Sequence, residues 1–306
     1  MDTKQIEYIL KIAEENNITK AAEKLFITQS ALNQQLLKLE KELGTPLFHR
    51  SRTNWRLTEA GEIYIEGAKA ALQIKNTTYN KIYDVVSARK GHLTIGLTPG
   101  RGLRMFTAIY PELHRSFPNL DVRPIEMRVR AQQDAIAKGE IDVGLMTLAR
   151  RDQTSDTYYP LKQEELVLII PAGHPLAEKA APPGEPLATL DLNEIRYEPF
   201  VLMDKTSTLR SSCDLLFEKA GFAPNILFET NNTSGIAAMV QSTLCCGIIP
   251  RYYTLGLTEG VACFSLPERP SWEIVISCQK NAYLNSGARE FIRLAREYWE
   301  NSAPLF

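Results

Sequence analysis

One helical face near the N-terminus carries short, uncharged side chains that could read DNA bases. At about 100° per residue, the apolar side chains of this segment fall on one side, which we expect to be buried: Leu32, Leu36, Leu39 and Leu43. The outward residues, apart from Leu37, are amides and a hydroxyl: Gln29 at the helix start, Ser30, Asn33 and Gln34. Asn and Gln can pair bidentately with adenine in the major groove. A solvated helix face fits these positions equally well, so the residues alone leave both interpretations open.

Three arginines follow within seven residues, in the segment LFHRSRTNWRLTEAG. Arg50, Arg52 and Arg56 alternate with Asn54 and Trp55 between two helical segments. This pattern predicts a short two-stranded wing, whose arginines would contact phosphates or enter the minor groove. An exposed basic loop is the alternative, although it is less common for three arginines than for one.

A second group of polar residues lies where predicted strands end. In open α/β sheets, ligands bind at the carboxyl ends of strands, where helix N-termini expose unpaired N–H groups. Ten residues occupy such places: Thr98, Pro99, Gly100, Arg101, Thr147, Lys205, Thr206, Ser207, Asn231 and Thr233. Their hydroxyls, amides and two cations favour a small anion such as a carboxylate. Ordinary helix capping is the alternative for each one. Arg128, Arg150 and Arg151 could line the cleft or be solvated, and we expect solvation.

The elements that position the amide face form a helix-turn-helix. An apolar stripe at i, i+3, i+4 and i+7 predicts a first helix, from Ile6, Ile9, Leu10 and Ala13. Thr19 is the expected N-cap of a short second helix through Leu25, and Thr28 that of a third helix to about Leu43, which Gly44 ends. Two helices joined by so short a turn make the motif.

A long helix is predicted from the N-cap candidate Thr58 to about Ala88. Its stripe is mostly apolar: Ala60, Ile63, Tyr64, Gly67, Ala68, Ala71, Lys75, Tyr79, Ile82 and Val86. A small winged domain cannot bury a stripe about 45 Å long at 1.5 Å per residue. We therefore expect the helix to pair with a second copy and to place two recognition helices on two half-sites.

The remainder of the chain alternates β-rich and helical stretches. Strands are predicted at 92–97, 121–127 and 141–146, then at 164–171, 199–203, 225–229 and 245–250, with a return at 272–278 before a helix at 285–300. The βαβαβ order of the first series implies a parallel sheet with helices on its faces, and the second series forms a second unit. Two crossovers, near residues 162–165 and 262–268, would join them as a hinged pair with a cleft.

Composition limits the class of protein. A chain of 306 residues exceeds one ordinary core, and its 44% hydrophobic and 23% charged residues are typical of globular domains. The net charge of −1 hides an asymmetry, because residues 1–90 hold 14 Lys and Arg against 11 Asp and Glu while the rest hold 21 against 25. Neither a signal peptide nor a membrane span of about 20 apolar residues is present, so we expect a cytoplasmic location.

The cysteines indicate neither disulfides nor a structural metal. Five are present without a CxxC pair or a histidine at zinc-ligand spacing: Cys213, Cys245, Cys246, Cys263 and Cys278. We expect reduced, mostly buried thiols rather than a redox switch.

Residues 19–61, TKAAEKLFITQSALNQQLLKLEKELGTPLFHRSRTNWRLTEAG, resemble the N-terminal signature of LysR-type transcriptional regulators. The resemblance continues more loosely through LVLIIPAGHPLA at 166–177 and CGIIPRYY at 246–253. It implies a winged helix-turn-helix, a linker-helix dimer often assembled into tetramers, and two Rossmann-like α/β subdomains resembling a type 2 periplasmic binding protein. By matching position, Gln29, Ser30, Asn33 and Gln34 would read bases, Thr28 and Arg50 would touch the DNA backbone, and Arg52 would serve the wing.

These observations predict a sequence-specific regulator with three parts. Residues 1–58 would bind double-stranded DNA at an interrupted inverted repeat, and 59–90 would form the linker helix. Residues 91–306 would bind a small-molecule effector between subdomain I (91–163 and 265–306) and subdomain II (164–264). We expect a homodimer or homotetramer that alters RNA polymerase access, with no metal, no membrane partner and no cofactor other than a small-molecule co-inducer.

Two neighbouring positions depart from the family pattern. Relatives usually carry Ser and Arg where this chain has Asn33 and Gln34. Arginine is the usual reader of guanine O6 and N7, so its absence predicts an A·T-leaning half-site.

Three other functions compete with this prediction. An enzyme is disfavoured because the chain lacks GxSxG, HExxH, P-loop and GxGxxG contexts and has only four histidines. A solute-capturing transport component would fit the last two hundred residues but not the helix-turn-helix. An architectural DNA-binding protein that binds no effector stays open.

Overall fold

The computed structural model describes residues 2–51, 55–86, 89–182, 184–242, 244–255, 257 and 259–301. The predicted wing residues Arg52 and Asn54 lie outside the described residues. The chain divides into two compact units, whose main boundary lies between Gly91 and His92. No helix in the described part of the chain is long and apolar enough to cross a membrane.

The N-terminal unit is a winged helix-turn-helix followed by a long helix. Its elements are α1 (Thr3–Glu15), α2 (Ile18–Lys24), α3 (Gln29–Leu43), β1 (Phe48–His49), β2 (Arg56–Leu57) and α4 (Glu59–Val85). The two short strands pair antiparallel, with Phe48 opposite Leu57. This part of the fold prediction is confirmed.

Three predicted helix ends agree with the structure. The side chain of Thr28 accepts a hydrogen bond from the Ala31 N–H at 3.2 Å, and that of Thr58 accepts one from the Gly61 N–H at 3.0 Å. Gly44 ends α3 with a φ of 72°, a left-handed conformation that favours glycine. Local side-chain chemistry therefore defines where α3 starts and stops and where α4 starts.

The predicted N-cap of α2 was wrong. Asn17, not Thr19, caps this helix, because its side-chain oxygen accepts from the N–H groups of Thr19 at 2.9 Å and Lys20 at 3.1 Å. Thr19 already lies in the first turn, and its hydroxyl donates to Gln29 Oε1 at 3.2 Å.

The buried face of α3 is partly as predicted. Leu32, Leu36 and Leu39 are buried, but Leu43 is 45% exposed. Leu43 is the last residue of the helix, where the chain turns away at Gly44. Glu40 is buried one turn earlier, and its Oε1 accepts a hydrogen bond from the Leu47 N–H at 2.8 Å.

The C-terminal unit has two α/β lobes. The first lobe contains β3 (Lys90–Leu97), α5 (Arg101–Ser116), β4 (Asn119–Glu126), α6 (Val129–Ala137), β5 (Val143–Leu148), β11 (Ser271–Cys278) and α9 (Ser286–Glu300). The second contains β7 (Pro199–Met203), α7 (Thr208–Ala220), β8 (Asn225–Thr230), α8 (Thr233–Gln241), β9 (Gly247–Pro250) and β10 (Val261–Ser265). The predicted pair of α/β lobes is confirmed.

The strand β6 (Thr157–Pro171) belongs to both lobes. Its residues up to Glu165 pair with β11, and its residues from Leu166 pair with β9 or β10. The strand order is therefore β10-β6-β11-β5-β3-β4, with β9 also beside β6. The second chain crossing is the segment 266–270 between β10 and β11.

The predicted parallel pairing is present in each lobe, and antiparallel strands extend the larger sheet. β3 and β5 run parallel, but β11 is antiparallel to both β5 and β6 because the chain returns from the second lobe. In the second lobe β7 pairs parallel with β8, and an isolated parallel bridge from Phe200 to Cys246 lies between β7 and β9.

Candidate DNA-binding face and effector cavity

The predicted base-reading residues lie on an accessible part of α3. Gln29, Ser30 and Gln34 are exposed, and Asn33 is partly exposed. All four lie in the first two turns, directly after the Thr28 cap. A helix enters the major groove with N-terminal residues of this kind, so the geometry suits base contacts. Their individual roles stay predictions.

Arg50 is anchored within the N-terminal unit. Its guanidinium pairs with the buried Glu40 carboxylate and lies 5.5 Å from the centroid of the Trp55 ring. These contacts fix the direction of a side chain that was predicted to touch the DNA backbone. Since a guanidinium has five N–H donors, the pair with Glu40 leaves donors for a phosphate. Arg56 is exposed on β2.

The C-terminal unit contains a cavity of about 640 Å³. This volume suits a small organic molecule. Nine of the ten residues predicted to bind an effector line it: Thr98, Pro99, Gly100, Arg101, Thr147, Thr206, Ser207, Asn231 and Thr233. They follow β3, β7 and β8 or lie within β5, so strand ends from both lobes meet here. Lys205 is exposed and does not line the cavity.

Several cavity residues were missed, and Arg128 was considered as a cleft residue but assigned to solvent. Arg128 follows β4 and Tyr252 follows β9, so the rule of strand carboxyl ends applied to these strands would have found both. Trp272 lies near the start of β11 and reaches the cavity only because that strand is antiparallel to β5 and β6. Arg104 lies one turn into α5 and carried no strand-end signal.

Arg101 lines the cavity, but its charge is already paired. Its Nη1 lies 2.5 Å from Glu164 Oε2, and its Nη2 donates to Oε1 at 3.1 Å. Both side chains are buried, at 5% and 0% exposure. The same carboxylate accepts from Trp272 Nε1 at 2.8 Å and from the Tyr252 N–H at 2.9 Å. The sequence predicted that the Arg101 charge is available to bind an anion. This was wrong, because the charge is already paired with Glu164.

Arg128 reaches from the first lobe to the second. Its Nη1 donates to Asp204 Oδ1 at 2.8 Å and also contacts the Thr206 hydroxyl. The expectation that Arg128 is simply solvated was therefore wrong. Burial opposes ionisation of Asp204, but hydrogen bonds from Thr206 and Arg128 outweigh it and hold the pKa of this carboxyl below its usual value. Asp204 is therefore an anion at neutral pH.

Several neutral groups of the cavity cap helices. Ser207 accepts from the Leu209 N–H at 3.2 Å at the start of α7, and Asn232 accepts from the Ser234 N–H at 3.0 Å at the start of α8. The hydroxyl of Thr98 is buried without a hydrogen-bond partner among the described residues. Capping and ligand contact are compatible for such residues. Within the described part of the chain, no group of three or more His, Cys, Asp or Glu side chains could hold a metal.

Comparison with known families agrees with this architecture. Residues 3–62 match the bacterial regulatory helix-turn-helix protein, lysR family, and residues 87–300 match the LysR substrate binding domain. Together the two models span most of the chain, which defines a helix-turn-helix regulator with a ligand-binding domain. The chain belongs to the LysR family of DNA-binding transcriptional regulators, whose members are regulators rather than enzymes.

Similar proteins cover nearly the whole chain. The HTH-type transcriptional regulator YcgK of Bacillus subtilis strain 168 is 30% identical over 97% of this chain and 94% of its own. Full-length OxyR from Pseudomonas aeruginosa has a TM-score of 0.70 at 21% identity, covering 99% of this chain and 96% of that one. Full-length CbnR in complex with its target DNA has a TM-score of 0.66 at 20% identity, covering 97% and 100%. These two structures share the fold.

Proposed function

We propose that this regulator changes its DNA complex when a small anionic effector binds in the cavity of its C-terminal unit. The observation that carries the proposal is the 640 Å³ cavity, which brings together hydroxyls, amides and arginines from both lobes. Such groups bind carboxylates through charge-assisted hydrogen bonds. The proposal needs no cofactor besides the effector.

The active form is a dimer or tetramer held by α4. Several large apolar side chains of this helix or its C-cap are strongly exposed in the single chain: Ile63, Ile74, Ile82, Val85 and Val86, at 68%, 69%, 52%, 84% and 62%. Pairing with a second copy would remove this surface from water. Two α3 helices would then reach two half-sites of an interrupted inverted repeat.

The effector acts through the connection between the lobes. β6 and the segment 266–270 are the two chain crossings, so binding of a ligand to both lobes favours one angle between them. A coupling free energy of about 1 to 3 kcal/mol gives a several-fold response. The altered spacing of half-sites would change the access of RNA polymerase to the promoter, in the cytoplasm where the chromosome lies.

Selection of bound sequences from random duplex DNA tests the DNA half of this proposal. The full chain is used at a stated salt concentration, since phosphate contacts make affinity depend steeply on salt. We expect an interrupted inverted repeat. The Gln29→Ala, Asn33→Ala and Gln34→Ala triple variant serves as the comparison, because these exposed or partly exposed side chains lie outside the core. Equal enrichment by both proteins would refute base reading by α3.

A truncated chain tests the effector half. Residues 1–90 alone should bind the selected DNA weakly and should not respond to any small molecule, whereas the full chain should respond. A melting temperature of the full chain that no metabolite shifts would instead favour an architectural protein without an effector.

A further inference from the structure

The charged side chains that line the effector cavity are Arg101, Arg104, Arg128 and Asp204. The positive charge of Arg101 is offset by Glu164 directly behind the wall, at 2.5 Å. A buried cation with so close a counterion has little attraction left for a ligand anion. Arg101 therefore shapes the wall of the cavity rather than adding to its charge.

The positive charge of Arg128 is offset in the same way. Asp204 lies 2.8 Å from its guanidinium, and the two residues face each other from different lobes. Asp204 thus occupies the position that a second carboxylate of a ligand would need. A dianionic ligand would have to displace a carboxylate that Thr206 also holds, through its N–H at 3.0 Å.

Arg104 is the remaining cation among the charged residues that line the cavity. In the described part of the chain it forms no ion pair with a carboxylate, and it is exposed on the first turns of α5. The nearby Glu126 accepts weakly from the Gly100 N–H at 3.4 Å, but it is exposed and does not line the cavity. The lining residues and Glu164 together leave one unmatched positive charge.

The rest of the lining favours an apolar body on the ligand. Large apolar and aromatic side chains come from both lobes: Val129, Met203, Leu209, Tyr252, Tyr253 and Trp272. Aromatic and aliphatic walls with a few placed polar groups bind ligands that combine a hydrophobic part with one polar end.

From these charges and walls we infer that the cavity selects an effector with one negative charge and an apolar body, and that Asp204 excludes dianions. The inference rests on the proposed function of the cavity. Arg104 holds the carboxylate. Asp204 sets the charge by neutralising Arg128, so it determines specificity without contacting a monoanion.

Three ligands that share a phenyl ring test this charge rule. Phenylacetate carries one charge, phenylmalonate carries two, and phenylacetamide carries none. Their affinities for the full chain are measured by isothermal titration at constant ionic strength, with melting temperatures as a check on folding. We expect phenylacetate to bind at least about tenfold more tightly than either of the others, as charge-assisted hydrogen bonds suggest.

Two variants and a matched control complete the experiment. Arg104→Met should abolish the preference for phenylacetate over phenylacetamide. Asp204→Asn frees Arg128 and should turn the preference towards phenylmalonate, by about tenfold or more. Lys205→Gln removes a charge next to Asp204 that lies outside the cavity, so it should change nothing.

Each contrary result has a separate meaning. Equal binding of phenylacetamide and phenylacetate overturns the charge rule, while the cavity still stands as an effector site. An Asp204→Asn variant that keeps the preference for phenylacetate overturns the role of Asp204. Binding of none of the three ligands also overturns the inference, but the DNA selection then judges the proposed function independently.

Discussion

Arg101 and Glu164 form a bidentate ion pair that is almost completely buried, although 63 residues separate them in the chain. The Glu164 carboxylate also accepts from Trp272 Nε1 and from the Tyr252 N–H. Arg101 begins α5 in the first lobe, whereas Tyr252 follows β9 in the second. One carboxylate on the crossing strand β6 therefore fixes groups from both lobes beside the effector cavity.

Loss of this carboxylate should strongly destabilise the C-terminal unit. Glu164→Ala leaves the Arg101 charge buried and unpaired, which we expect to cost about 3 to 5 kcal/mol in the free energy of unfolding. Urea unfolding followed by circular dichroism measures it. Glu194→Ala is the control, because Glu194 pairs with Lys179 and both side chains are exposed, at 38% and 54%, so its loss should cost far less. Equal losses of unfolding free energy in the two variants would show that the buried pair stabilises the fold no more than an exposed pair does.

The sequence predicted which strand ends meet at the cavity. It did not predict which of the charged side chains there form ion pairs with one another. The rule of carboxyl ends placed nine residues correctly at the cavity because it follows from chain topology. It could not show that Glu164 neutralises Arg101, since that pairing depends on how β6 packs against α5. Nor could it show that Lys205 points elsewhere, because residues after a strand can face either side.

Local sequence patterns predicted the helices and most caps of the N-terminal unit well. They failed where contacts with neighbouring elements determine which side chains are buried. The Thr28 and Thr58 caps depend on contacts within three residues, and both are present. The burial of Glu40 depends instead on Leu47 and Arg50, seven and ten residues away. Helical periodicity alone would leave a glutamate outside and place Leu43 inside.

The corrected cap of α2 can be tested directly. Asn17→Ala removes the acceptor for two N–H groups and should lower the free energy of unfolding of the N-terminal unit by about 1 kcal/mol. Thr19→Ala, which removes only an exposed hydroxyl bond to Gln29, should cost less than half of that. Hydrogen exchange of the backbone amides of residues 2–86, measured in the full chain at rising temperature, gives the free energy of unfolding of this unit for each variant. A larger loss for Thr19→Ala would contradict the assignment.

The role of α4 in assembly predicts an effect on oligomeric state. Ile82→Glu places a charge in the exposed apolar stripe, so it should weaken the dimer by at least about tenfold, since burying an unpaired charge is costly. Sedimentation velocity over a range of concentrations measures the dissociation constant. Asn76→Glu adds the same charge at a partly exposed position on the opposite face of the helix from Ile74 and should have a smaller effect. A dimer that tolerates Ile82→Glu would assemble through another surface.

The cysteines should be chemically inert in the folded protein. Burial raises the pKa of the Cys213 and Cys246 thiols to about 12 and that of Cys263 to about 11. At pH 8 on the order of one thiol in a thousand or fewer is then ionised, and only the thiolate reacts. We expect a disulfide reagent at pH 8 to modify these thiols only after unfolding in guanidinium. Rapid modification of the native chain would instead indicate an accessible, redox-active cysteine.

The amide-rich face of α3 predicts a change of base preference when an arginine is introduced. Gln34 is exposed in the second turn of the helix, where an amide can pair with adenine but cannot donate the fork of bonds that guanine O6 and N7 accept. Gln34→Arg should therefore shift one position of each selected half-site towards guanine, by about 1 to 3 kcal/mol of discrimination. Selection from random DNA with the variant and the unchanged chain measures this shift.

Gln35→Arg, at the neighbouring exposed residue, controls for the added charge. A general increase in phosphate attraction strengthens binding to all sequences and steepens the salt dependence. A guanine already required by the unchanged chain under this helix would refute the A·T-leaning half-site, since it would mean that other residues supply the guanine contact.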